Sequence, residues 1–304
     1  MFSRRHPYLF FLLAFACIIA GTSVVLSLIG LFSPEKRAMK YGEKVGVIEV
    51  KGVILNSGPV LEDLKKFRTA KAVKAIVVRI DSPGGAVGPS QEIYREIRKT
   101  SEKKPVIASM GAVAASGGYY IASAADGIVA NPGTITGSIG VLMEYTNFRA
   151  LFEKIGLYPV VITSGKYKDA GSPLREMTED ERNLLQNFVD TVHRQFVDDV
   201  AAGRKMERSN VEKIADGRII SGETAKLHGL VDKMGNLEDA VSWAAKKGGI
   251  RGQADVIYLP EEKLSLIEYI LDMTSAHIKQ LFAQINAGVF SGGYTYFPGA
   301  ASAQ

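Results

Sequence analysis

The chain has 304 residues, 46% of them hydrophobic, and a formal charge of +5 at pH 7. That length suits one large domain or two small ones, and basic residues scattered without a Lys/Arg block exclude the electrostatic footprint of a nucleic-acid binder. Cys17 is the only cysteine, which excludes an intrachain disulfide and a cysteine-built metal site.

Residues 1–7 form a short stub carrying Arg4 and Arg5. From Tyr8 to Phe32 no charged residue occurs. As a helix that run spans about 37 Å, enough for a hydrocarbon core of about 30 Å. A signal peptide's apolar region is only about 7–15 residues long, and this run continues well past Cys17. Residues 8–32 are therefore expected to form an uncleaved transmembrane helix. Arg4 and Arg5 face Lys36, Arg37 and Lys40 across it, the latter diluted by Glu35 and Glu43, so loop charge gives only a slight bias to a cytoplasmic stub.

Residues 33–44 are polar and read as a linker to a body spanning 45–260. Val/Ile-rich runs at 45–50, 75–80, 106–109, 128–130, 139–143 and 160–163 predict buried strands. Between them 60–67, 89–99, 117–125 and 148–155 have helical spacing or composition. This alternation predicts an α/β domain with largely parallel strands. A long helix is predicted over 179–202, opened by a capping box of Thr178 and Glu181. Leu184, Leu185, Phe188, Val192, Phe196 and Val200 recur on one of its faces. Shorter helices fit 211–215, 223–227 and 237–246. Residues 261–304 hold an amphipathic stretch at 264–285, suited to a membrane surface or a partner subunit, and a Gly/Tyr/Ala-rich end.

Three segments could carry chemistry. Asp81-Ser-Pro-Gly-Gly85, between a strand and a helix, can aim backbone N–H groups into a site as an oxyanion hole requires, or can be an ordinary turn. Ser116 lies in Ala114-Ala-Ser-Gly-Gly118, where it reads as a nucleophile or as a helix cap. The segment lacks the Gly-x-Ser-x-Gly of a nucleophile elbow. No histidine occurs between His6 and His193, so a serine acting here needs another base. A desolvated lysine is the leading candidate for that base, and Lys168, in Gly165-Lys-Tyr-Lys-Asp169, reads either as such a base or as an ordinary solvated surface charge. Neither the Asp81 loop nor Gly133-Thr-Ile-Thr-Gly-Ser-Ile-Gly140 has phosphate-loop or dinucleotide spacing. No metal or cofactor is implied.

Taken in order, Asp81-Ser-Pro-Gly-Gly85, Ala114-Ala-Ser-Gly-Gly-Tyr-Tyr120, Thr134-Ile-Thr-Gly-Ser-Ile-Gly140, Gly165-Lys-Tyr-Lys-Asp169 and Gly229-Leu-Val-Asp-Lys-Met-Gly235 resemble signal peptide peptidase A in its short, single-domain form. The resemblance covers roughly Val45 to Asn236. It implies a ββα spiral of the Clp-protease/crotonase superfamily, with Ser116 as nucleophile and Lys168 as general base. It further implies that Ser138 orients the lysine and that backbone N–H groups of Gly84, Gly85 and Gly117 form the oxyanion hole. Ring- or dome-shaped homo-oligomers, a lysine that can come from the neighbouring subunit, and remnant signal peptides as substrates follow from the same resemblance. So does a single-pass location in the bacterial inner membrane, with the catalytic domain on the extracytoplasmic side. The alternatives are a related protease acting on a membrane-protein partner, a non-catalytic ring scaffold, and an acyl-CoA-binding crotonase-type enzyme.

Overall fold

The computed structural model describes residues 43–252 and 254–259, with positions 8, 15–17 and 19–21 near the N-terminus. The stub at 1–7, most of the span predicted at 8–32, nearly all of the linker and the 264–285 stretch lie outside the described residues. Among the described residues, no helix is long and apolar enough to cross a membrane.

The body is a mixed α/β sheet whose strands run in the order β6-β5-β3-β2-β1-β8. These are β1 (Lys44–Ile54), β2 (Val73–Gly85), β3 (Val106–Ala115), β5 (Ile135–Gly137), β6 (Ile219–Ser221) and β8 (Asp255–Tyr258). Two more, β4 (Gly127–Ala130) and β7 (Lys233–Met234), continue from β3 on a branch. Every pairing is parallel except β5 with β6. Strands covered on both faces must be apolar on both, and β2 reads accordingly, with Ala75, Ile76, Val77, Val78 and Ile80 all inaccessible to solvent.

One face of the sheet packs beneath α1 (Gly58–Thr69), α2 (Val87–Ser101), α3 (Gly117–Ser123) and α5 (Glu179–Arg204), which supply Leu64, Phe67, Ile93, Ile97, Tyr120 and Phe196 to its core. The opposite face is covered by α8 (Leu237–Lys247) through Ala240, Ala244 and Ala245 against Val45, Val77 and Ile107. The seating of α8 depends on Gly127, where a β-carbon would lie 2.2 Å from the Trp243 ring. Shorter helices are α4 (Arg149–Lys154), α6 (Arg208–Glu212) and α7 (Gly222–Leu227).

Several boundaries depart from the sequence expectation. Asp81–Gly85 does not leave the sheet. It stays in β2 because β1 also runs on, pairing Lys51 with Asp81 and Ile54 with Gly85. That approach leaves no side-chain space at Gly85, whose β-carbon would sit 2.2 Å from the Ile54 carbonyl oxygen. The Ala-rich run after Ser109 likewise remains in β3 up to Ala115.

The strand predicted at 139–143 is absent. Its role falls to β5, which is followed by left-handed turns at Gly137 and Ser138 that carry the chain out of the sheet. The strand predicted at 160–163 is also absent: Val160, Val161 and Ile162 are exposed and lie in no strand. The predicted 179–202 helix extends to Arg204, and its Thr178/Glu181 capping box is formed.

Candidate active site

Ser116 leaves β3 at the C-terminal edge of the sheet, where open parallel α/β sheets place their ligands. Its backbone has φ 54° and ψ −120°, a strained conformation for a non-glycine residue that costs about 1–3 kcal/mol. Although Ser116 stands immediately before α3, its side chain makes no capping bond. The Oγ is buried and has no hydrogen-bond partner among the described residues. A cap is therefore not what this serine does. Ser116 sits instead on a strained strand-to-helix turn, without the Gly-x-Ser-x-Gly pattern.

Ser138 is brought beside it by strand pairing. Ala115 pairs with Gly137, so the two serines leave neighbouring strands about 4.8 Å apart. The Ser116 N–H donates to the Gly137 carbonyl at 2.9 Å, and the Ser138 N–H donates to Arg218 O at 2.7 Å. Ser138 shares the left-handed backbone, with φ 51°. It also lines a cavity of about 370 Å³ together with Gly140, Leu142, Asp190 and His193. The His193 Nε2 is buried and has no hydrogen-bond partner among the described residues.

The predicted glycines converge on the same edge. A β-carbon on Gly117 would lie 3.2 Å from Gly85 N and 3.3 Å from Gly84 Cα. The Gly84 N–H already donates to Ser82 Oγ at 3.1 Å, which leaves Gly85 and Gly117 as the better placed of the three for an incoming oxyanion. Ser90, which the sequence reading passed over, closes this corner: its Oγ donates to Ala86 O at 2.9 Å and would be 2.6 Å from a Gly117 β-carbon.

The Lys168 amine is not bonded to the Ser116 hydroxyl. The lysine lies in an exposed turn of an arm running from about residue 143 to 178. Its turn is tied to the start of α5, where Arg175 bridges Asp169 and Glu181. Ser138 instead shares its cavity with His193, which is about 18 Å further along that helix at 1.5 Å per residue. Another lysine, Lys104, is lowered to about 8 by burial and by Lys74. It caps the Phe67 and Ala70 carbonyls near the N-terminal end of β3, a full strand's length from Ser116, so it is no substitute base.

The Glu181 carboxyl is held at about 2, chiefly by the Arg175 guanidinium and then by the Thr178 N–H. A depressed carboxylate stabilises the fold above its ordinary value of 4.5 and loses that contribution as pH falls towards about 2. Thermal melts from pH 6 to pH 2 should decline through this window, with Glu181→Gln less stable at pH 6 and less steep below. Asp216, held low by Arg218, and Asp169, held low by Arg175, contribute to the slope that remains. Superimposable wild-type and Glu181→Gln curves would remove the assignment.

The sequence matches peptidase family S49 over residues 98–251. A protein of Synechocystis that carries a protease name is 48% identical over 210 residues, 68% of this chain and 76% of that one. The chain belongs to peptidase family S49. The S49 match takes in Ser116, Ser138 and Lys168, while Gly84 and Gly85 lie ahead of it.

Other relatives include an Enterococcus faecium protein named as a signal peptide peptidase, 37% identical over 219 residues, 67% of this chain and 64% of that one. A chloroplastic serine protease of Arabidopsis thaliana is 39% identical over 206 residues, 67% of this chain but 30% of that one. The chain thus spans under two thirds of these two relatives. By family it is a serine peptidase.

Proposed function

We propose that this protein is a membrane-anchored endopeptidase that degrades apolar peptides, remnant signal peptides among them, through an acyl-enzyme on Ser116. The observation that carries the reading is Ser116 itself: strained, buried, and with an Oγ that has no hydrogen-bond partner among the described residues. A hydroxyl kept in that state is suited to an incoming carbonyl. The α/β sheet, with its serine at a strand end, is read as the ββα spiral of the Clp-protease/crotonase superfamily.

In this scheme Ser116 Oγ attacks the scissile carbonyl carbon while its proton passes to the neutral Lys168 Nζ. The N–H groups of Gly85 and Gly117 receive the developing oxyanion. The resulting ammonium protonates the departing amine, and the free amine then activates water to hydrolyse the ester. Ser138, beside Ser116, orients the amine. Lys168 comes from a neighbouring copy. Tyr158, Val160, Ile162 and Tyr167 on the arm that bears it are exposed, an apolar surface of the kind buried between subunits. The uncharged run at 8–32 supplies the anchor, with the body outside the cytoplasm.

Full-length protein in detergent should cleave a synthetic signal peptide at a rate that climbs with pH, because the base acts as the free amine. Ser116→Ala should yield no product above background. Cleavage by Ser116→Ala at the wild-type rate would end the reading.

A further inference from the structure

The arm around Lys168 is built unevenly. Over 155–164 it is exposed, with Ile162 at 94% and Val160 at 85%. The turn that carries Lys168 is instead braced from several directions. Backbone bonds run from Lys168 N–H to Gly165 O, from Ala170 N–H to Tyr167 O and from Ser172 N–H to Asp169 O. Gly171 sits so close to Tyr145 that a β-carbon would meet its ring at 2.5 Å.

The strongest brace is ionic. Arg175 Nε donates to Asp169 Oδ2 at 2.9 Å, and its Nη2 donates to the Asp169 carbonyl at 3.2 Å. The other edge of the same guanidinium grips both oxygens of Glu181, with Nη1 to Oε2 at 2.8 Å. The Glu181 side chain is only 4% exposed. A planar fork that engages two carboxylates fixes direction as well as distance, which a lysine at the same place cannot do.

Capping α5 accounts for Glu181 alone, through Thr178. It does not account for the two bonds that Arg175 spends on Asp169, the residue adjoining Lys168. We infer that Arg175 is a positioning residue: through Asp169 it locks the Lys168 turn to the first turn of α5, so that the amine is presented in one place to the serine it serves. The inference rests on Lys168 being the base. It adds that the base is aimed by its own chain before any partner is met.

The test uses full-length protein and a fluorogenic apolar peptide, with kcat and KM measured separately for Arg175→Met, Arg175→Lys, Asp169→Asn and Lys168→Ala. Misplacing a reacting group by about an ångström costs on the order of a hundredfold in rate. Arg175→Met should therefore lose roughly tenfold to a hundredfold in kcat with KM little changed. Arg175→Lys should recover only part of the loss, and Asp169→Asn should lose kcat in the same direction while leaving the α5 cap, and hence the melting temperature, nearly intact.

The oligomer mass of each variant, measured by sedimentation, should equal that of the wild type. Wild-type kcat in both Arg175→Met and Asp169→Asn, with Lys168→Ala inactive, overturns the positioning role and leaves the dyad standing. Full activity in Lys168→Ala overturns the dyad, and the positioning role with it.

Discussion

Purified Ser116→Ala and Lys168→Ala proteins should each turn over peptide at least about 10⁴-fold more slowly than wild type, since removing either member of a nucleophile–base unit removes the unit's action. Mixed and allowed to exchange subunits, they should regain activity. A site that draws its serine from one copy and its lysine from the next is intact when a Lys168→Ala copy supplies the former and a Ser116→Ala copy the latter. Random assembly around a closed ring gives that pairing at about one site in four. A dyad within one chain gives none, because every chain in the mixture lacks one partner. Recovery to about a quarter of wild-type turnover thus reads directly on the exposed arm and the unpartnered Ser116 Oγ. No recovery after demonstrated exchange would place the base within the serine's own chain.

Gly117→Ala should be nearly as damaging for a different reason. The added methyl would stand 2.6 Å from Ser90 Oγ, 3.2 Å from Gly85 N and 3.3 Å from Gly84 Cα. The Ser90 hydroxyl can swing aside, but the β2 backbone cannot, because Gly85 is already pressed against Ile54. The two N–H groups proposed to hold the oxyanion are then wedged apart. Loss of one such donor costs about 10²–10³ in kcat, and a comparable fall is expected here with a modest change in KM. Ser90→Ala combined with Gly117→Ala should recover little of the loss, since both backbone contacts remain. Steady-state kinetics on the three variants decide it, and wild-type kcat in Gly117→Ala would dissociate this corner from catalysis.

How far the sequence foretold these features follows from what each depends on. The parallel strands at 45–50, 75–80 and 106–109 were legible because burial on both faces forces unbroken apolar runs. Thr178 and Glu181 announced the start of α5 because a capping box is a purely local device. The continuation of β2 through Asp81–Gly85 was not legible. Asp, Ser, Pro and Gly are turn residues by composition, and only the partner strand keeps them extended. The 160–163 run was misread for the complementary reason: its Val and Ile residues have strand character, but no strand among the described residues pairs with them. At the site, Ser116, Ser138 and the glycines were named from sequence, and the fold gathers them at one edge. Arg175 gave no signal, since an arginine that bridges Asp169 and Glu181 is indistinguishable in sequence from any surface arginine.

The attachment of the Lys168 turn to α5 bears on how such a protease is kept harmless. If Lys168 serves a neighbouring copy, with its own turn fastened to the first turn of α5, a lone chain carries both reagents and combines neither. On the proposed scheme a newly made copy is its own zymogen. It needs no pro-segment to be clipped, and it is switched on by the arrival of its neighbours. Activity per chain would then rise with local concentration, so that scattered copies stay idle and only crowded ones digest peptides.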